Sequence, residues 1–411
     1  VPSSSTPLAS DRVYGSSTPC SLRALGLLTA LGRGGDEIWP RLLAGDSSQL
    51  TVRDDLVPGR PLVVGAVAGE LPRLPHALAR YACRNNSMTL AALEQIEDAV
   101  RDVVRAAGRQ RVAVVMGSST SGVSDAEAAI RHQHQTGLLA PSFHYEQLEF
   151  GGASAFVAEL LGLGGPAFTL STACSSGARA LASARALLAL GVVDAVLAGA
   201  TDTLCGLTTN GFSALQVVSD EITNPFSRNR NGITLGEGSA LFLVTREAGG
   251  IQLCGVGESS EAHHMSAPDP DGAGAEAAMR AALQDAGVEP HAIAYVSLHG
   301  TGTALNDAME CRAITRTFPS PPPCSSAKPL VGHTLGAAGA VEAGFCWLML
   351  RQQEAGSLAL IPHAYDGQRD PELAAIPLAS KGMRVPTGPL LSNAFGFGGN
   401  NCSLVLTGSS A

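Results

Sequence analysis

Residues 170–188 read LSTACSSGARALASARALL: an extended apolar run closes on a cysteine, and a helix rich in Ala and Leu begins at once. No β-branched residue interrupts the stretch from Ser175 to Leu190, so helix propensity is high along all of it. Cys174 is thereby predicted at a helix N-terminus, where the macrodipole and unpaired N–H groups favour thiolate. The local pattern admits a buried structural cysteine as well as a nucleophile. None of the other eight cysteines has comparable surroundings, and the inert, buried reading suits them.

Outward from this stretch, short β-rich runs alternate with Ala/Leu-rich helical ones. Strands are predicted over 112–116, 192–200 and 240–245, with a helix over 90–107. A second half is expected to start near residue 250, with a strand over 251–256, a helix over 273–286 that stops near Gly287, and a short strand over 295–298 that delivers His299. The expectation is a layered α/β protein with buried strands, in halves spanning 22–250 and 251–411. The Pro/Ser segment 319–326 cannot continue a helix and hands the chain to Lys328.

Composition removes several classes of function. A chain of 411 residues that is 45% hydrophobic and 15% charged builds a large core and is not disordered. The net charge of −9 argues against coating nucleic acid, and Lys328 and Lys381 are the only lysines. Nine scattered cysteines with no CxxC pair read as reduced thiols of the cytoplasm, without a disulfide framework or a metal site. The apolar run 335–350 is interrupted by Glu342 and is too short to insert in a membrane. No GxGxxG or GxxxxGK is present, which leaves nucleotide cofactors without support. The first 20 residues lack the apolar run of a signal peptide.

Two histidines stand in contexts like that of the cysteine. His299 lies in VSLHGTGTALND (296–307), where Thr301 and Thr303 can hold a polar substrate arm. His333 lies in SSAKPLVGHTLGAAGAVEAG (325–344), preceded by Lys328 and followed by Glu342. Either histidine alone reads more readily as structural; with Cys174 they point to a thiol nucleophile whose neighbours manage charge. The corner LLSNAFGFGGNNCSLVL (390–406) is a tight β-turn, or a backbone N–H and a bulky side chain beside a narrow pocket.

Taken in order, TACSSG around Cys174, HGTGTALND from His299, KPLVGHTLGAAGAVE around His333 and FGFGG from Phe395 resemble the β-ketoacyl-acyl carrier protein synthases, the elongating Cys-His-His type of the thiolase-like superfamily. The resemblance runs from about residue 22 to 406. LGLLTALGRG (25–34) is similar to a shortened form of that family's opening strand and turn. It implies two similar α/β halves in a five-layered α-β-α-β-α fold, normally a homodimer, and a heterodimer with a related subunit in some branches.

It also implies roles. Cys174 would take an acyl group from a phosphopantetheine thioester, with its own N–H and that of Phe397 as oxyanion hole. His299 and His333 would bind the malonyl thioester and stabilise the enolate left by decarboxylation. Lys328 and Glu342 would order this region, and Thr301 and Thr303 would contact the pantetheine arm. Phe397 would gate the acyl entrance together with Met265 and Ser266 of SSEAHHMSAPDPDG (259–272), and Phe212 would line the entrance. No cofactor is implied beyond the pantetheine arm carried by the acyl and malonyl carrier proteins. Arg228 and Arg230 are candidates for carrier docking, and Glu237 for a structural network.

Competing readings are a non-elongating chain-length factor, which generally lacks the nucleophilic cysteine, and a biosynthetic thiolase, which the HGTGT pattern disfavours. For substrate, fatty-acid elongation comes first. CRNNSMTLAALEQI (83–96) adds a resemblance to aryl-polyene-type bacterial ketosynthases.

Overall fold

Alternating β-rich and Ala/Leu-rich runs do become a layered α/β structure. The computed structural model describes residues 18–408; most of the Ser/Pro-rich opening, and the last three residues of the second half, lie outside them. Ten strands carry the architecture: β1 (Ser21–Thr29), β2 (Val112–Gly117), β3 (Ala167–Leu170), β4 (Ala195–Asp202), β5 (Gly238–Thr245), β6 (Ile251–Ser260), β7 (Tyr295–Ser297), β8 (Cys324–Ser325), β9 (Leu390–Gly396) and β10 (Asn400–Gly408).

In the first half the order is β3-β2-β4-β5-β1, with the first three parallel and the last two antiparallel. In the second half it is β8-β7-β9-β10-β6, with the same mixture of senses. The order of the second half is that of the first with five added to each label, a repeat that individual letters do not show. The two sets meet through one register pair, Ser21 opposite Gln252, between β1 and β6. Strands β2, β4 and β5 are buried along their whole length, which explains their unbroken apolar runs.

Seven helices matter for the site: α1 (Arg84–Glu94), α2 (Glu97–Ala107), α3 (Ser176–Ala189), α4 (Gly206–Ala214), α5 (Ala273–Ala286), α6 (Ala304–Thr317) and α7 (Ala338–Arg351). The single helix expected over 90–107 is two helices, α1 starting earlier at Arg84 and giving way near Ile96, which has left helical geometry (ψ 12°). Helix α5 occupies its expected span, with Gly287 in the left-handed conformation that ends it. The apolar run before Leu350 forms α7, whose residues from Ala338 to Leu350 are all buried within the protein. No helix among the described residues is long and apolar enough to cross a membrane.

Helices α3 and α7 each follow a site motif and cross at backbone contact. A methyl group built on Gly177 would stand 2.7 Å from the Ala340 nitrogen, and one built on Gly339 would stand 2.8 Å from the Ala178 nitrogen. The obstacle is backbone, which cannot swing aside. Gly177→Val is therefore expected to destabilise the protein by about 1–3 kcal/mol or more. Thermal unfolding should show a lower midpoint than wild type, and Gly151→Ala, where an added methyl meets nothing within 4 Å, should leave the midpoint unchanged.

Candidate active site

The turn between β3 and α3 shows how TACSSG works. Ala173 adopts a left-handed φ of 53°, an uncommon conformation for a residue with a side chain. Hydroxyls hold it there: Ser176 Oγ donates to the Ala173 carbonyl (2.6 Å) and accepts from Thr172 N–H (2.9 Å), while Ser175 Oγ donates to the Thr172 carbonyl (2.8 Å). This elbow presents Cys174 just before the N-cap Ser175 of α3, as expected. The pull of the helix N-terminus toward thiolate does not prevail. Burial pushes the Cys174 thiol up to about 11, overriding the pull of the Lys328 ammonium and of the Phe397 and Cys174 N–H groups. The resting nucleophile is a neutral thiol.

One ligand atom each from Cys174, His299 and His333 lie within 4.8 Å of one another, all three residues buried. His299 follows β7, and the Glu310 carboxylate on α6 accepts both its N–H and that of Gly300 at 2.7 Å. His333 Nδ1 accepts the Leu335 N–H at 3.2 Å, so the ring proton resides on Nε2, which faces Cys174 Sγ at 3.1 Å. The two rings stand edge to face with centroids 5.4 Å apart.

Lys328 is 1% exposed. Its ammonium donates to the His299 carbonyl and pairs with Glu342 on α7 at 2.5 Å. Burial and then this ammonium hold His333 well below the usual histidine range. The same two causes, with His333 as a third, act on His299. Both imidazoles are thereby held toward the neutral form. Burial pushes Glu342 up to about 7 against the pull of Lys328.

Two cavities meet at the sulfur. One of about 310 Å³ is lined by Cys174, His299, His333, Thr301, Thr303 and Ser266, among others. The second, about 250 Å³, lies toward Ser119, Ser171, Thr208 and Leu335. Cys174, Phe212 and Phe397 border both, and the two phenylalanine rings tilt together with centroids 5.6 Å apart. Phe397 sits in the turn between β9 and β10, and the next N–H, of Gly398, donates to the Met265 carbonyl at 2.9 Å. The gate candidates thus adjoin, though Met265 itself is 80% exposed and lines neither cavity.

The N-terminal domain model of beta-ketoacyl synthase matches residues 22–249, and its C-terminal domain model matches 251–358. The chain belongs to the beta-ketoacyl synthase family. The mitochondrial 3-oxoacyl-[acyl-carrier-protein] synthase of Arabidopsis thaliana is 31% identical over 97% of this chain and 95% of its own. The 3-oxoacyl-[acyl-carrier-protein] synthase 2 of Coxiella burnetii is 29% identical over 94% and 97%. Among solved structures, the ketosynthase (ApeO) in complex with its chain length factor (ApeC) from Xenorhabdus doucetiae gives a TM-score of 0.90 at 44% identity, covering 95% of this chain and 98% of that one.

With its Cys-His-His set converged, this ketosynthase is an elongating 3-oxoacyl-acyl carrier protein synthase, and the non-elongating alternative falls away. Other sequence candidates need revision. Arg230 is no docking residue: its side chain is 11% exposed, pairs with Asp370 and lines the first cavity. Arg228 is exposed. The 83–96 segment lines neither cavity. Arg84 binds the buried Glu237, which is the structural network residue expected, and Asn85 Nδ2 donates to the Thr201 carbonyl at 2.8 Å.

Sequence reading missed Glu310, which stands three residues beyond the end of the HGTGTALND motif and one α-helical face along from Asp307. It also missed Asp202, which has no motif around it.

Removing the ammonium should release the histidines. In Lys328→Met the second of the two causes is lost while burial remains, so their titration moves part of the way up and imidazolium forms at a higher pH than in wild type. An imidazolium beside an enolate protonates it. Mass analysis of products should show condensation giving way to acetyl-carrier at low pH in the variant, with the wild-type ratio constant over the same range.

Proposed function

We propose that this ketosynthase extends a carrier-bound, unsaturated polyene-type acyl chain by two carbons, as the catalytic subunit of a heterodimer, in two divided half-reactions. The observation that carries the division is the tautomer of His333. Its Nε2–H points at the sulfur and Nδ1 is occupied, so it is a donor to the site and not the base that deprotonates Cys174.

In the first half-reaction the pantetheine arm of an acyl carrier enters along Thr301 and Thr303, which line the first cavity, and Phe397 and Phe212 part to admit the chain toward Leu335. The Cys174 sulfur attacks the thioester carbonyl, its proton leaves with the pantetheine thiol, and the developing oxyanion is met by the Cys174 and Phe397 N–H groups. In the second, malonyl-carrier loses carbon dioxide, and the enolate oxygen accepts hydrogen bonds from His299 and His333. The enolate carbon then attacks the acyl-cysteine carbonyl, and collapse expels the Cys174 thiolate. Lys328 and Glu342 order this pocket. Ser266, with the Met265 backbone, holds the second side of the gate. Burial of Cys174, His299 and His333 limits solvent as a competing proton source.

The repeated strand order supports a five-layered arrangement of two halves, 22–250 and 251–411, and nine free cysteines suit a cytoplasmic enzyme. For the partner, the ketosynthases of known structure that resemble the chain include pairs with chain length factors. Strand β3 ends the sheet with a neighbour on one side only among the described residues, and none of its four residues is buried, so its free edge is open to a partner subunit. The preference for a polyene-type chain over an ordinary fatty-acyl chain follows the stronger likeness to a chain-length-factor-paired ketosynthase, 44% against 29–31% for the 3-oxoacyl synthases.

Intact-protein mass after exposure to matched saturated and unsaturated acyl carriers tests this, with Cys174→Ala as control. Wild type co-expressed with its partner should acylate preferentially from the unsaturated donors and release a product two carbons longer with malonyl-carrier. Equal use of saturated donors would return the enzyme to fatty-acid elongation.

A further inference from the structure

We propose that Asp202 is a positioning residue that fixes the tautomer and aim of His333. Asp202 ends β4 and is wholly buried; burial raises its carboxyl above the usual range, and the hydrogen bonds it accepts oppose that shift. Oδ1 accepts from the Ser118 hydroxyl (2.7 Å), the Ser119 N–H (2.8 Å), and the N–H and hydroxyl of Thr120 (both 2.9 Å). Oδ2 accepts from the Ser119 N–H (3.0 Å) and the Gly336 N–H (2.6 Å). A carboxylate this deep persists only where such donors surround it.

The donors come from both halves of the molecule. Ser118, Ser119 and Thr120 follow β2, whereas Gly336 stands three residues past His333. Leu335 lies between them in a left-handed conformation, φ 52°, and its N–H is the group that occupies His333 Nδ1. The Gly336–Asp202 bond therefore holds the turn whose geometry decides which ring nitrogen of His333 carries the proton. Asp202 touches no reacting atom: it acts through the turn. The space is closed as well, since a methyl on Gly336 would stand 2.7 Å from Asp202 Oδ2 and 2.6 Å from Ser119 Oγ. Upstream, Asn85 binds the carbonyl of the adjacent Thr201, which ties the 83–96 segment to this seat and away from the substrate.

The inference rests on the reading of His333 as the enolate donor, so the test measures the two half-reactions separately. Carbon dioxide release from malonyl-carrier reports His333, and the mass of Cys174 after a short-chain acyl donor reports the nucleophile. Asp202→Asn sets an amide N–H against one of the donor groups, and Gly336→Ala strains the same bond from the other side without touching a charge. Both are expected to slow carbon dioxide release about tenfold to a hundredfold and acylation by no more than about threefold.

A parallel loss of both half-reactions would mark a merely structural role and overturn the proposal. So would a full rate of carbon dioxide release in Gly336→Ala, which carries the test if Asp202→Asn does not fold. His333→Ala separates the layers. If it keeps wild-type carbon dioxide release, the reading of His333 fails and this inference fails with it; if it loses that activity while both other variants keep it, the inference alone fails.

Discussion

One buried ammonium organises the chemistry of this enzyme. Lys328 has lost its water, and a lone charge at that depth costs several kcal/mol in effective terms. The cost is offset by the His299 carbonyl and the Glu342 carboxylate, which between them join the loop after β7 to helix α7. From that seat the ammonium acts on every reacting group. It disfavours imidazolium at both histidines and pulls the Cys174 thiol down against burial. Neutral N–H donors, and not cations, are what a carbon nucleophile needs nearby, because a donor that holds its proton stabilises an enolate and one that releases it destroys the nucleophile.

The geometry that lets Lys328 reach these groups comes from the crossing of α3 and α7. Each helix follows its own site motif, and Gly177 and Gly339 allow the two backbones to touch. The elbow at Ala173 and the turn at Leu335 then face each other across the sulfur, both in left-handed conformations that a side chain resists. Strain at two facing turns is held by hydroxyl and carboxylate hydrogen bonds close by, Ser175 and Ser176 on one side and Asp202 on the other. The same logic places Phe397 on a glycine-flanked turn, where its ring borders both cavities.

Much of this was legible in the letters. Buried strands such as Val112–Gly117 announce themselves by unbroken apolar runs, and Ala273–Ala286 by Ala-rich helical content with glycine at its end. Cys174, His299, His333, Lys328 and Phe397 each sit at the junction of a regular element and a small-residue turn, and such junctions are where sequence pattern is strongest. What was not legible depends on distance in space. The thiol's neutrality is set by burial, which a helix N-terminus does not reveal. Arg230 reads as a solvent-facing cation until Asp370, 140 residues away, is brought beside it. Asp202 and Glu310 act by accepting backbone N–H groups from loops that only the fold assembles.

The central claim is that both site histidines are neutral and that His333 carries its proton on Nε2. NMR of the enzyme labelled with ¹⁵N at histidine reads this directly, since protonated, N–H and bare ring nitrogens resonate apart, and the His299→Ala and His333→Ala variants assign the two rings among the ten histidines. The account predicts that neither ring titrates between about pH 5.5 and 8, far from the ordinary midpoint near 6.5, and that His333 shows a hydrogen-bonded bare Nδ1 throughout. An imidazolium signal from either ring that grows in with a midpoint near or above 6.5 would contradict it.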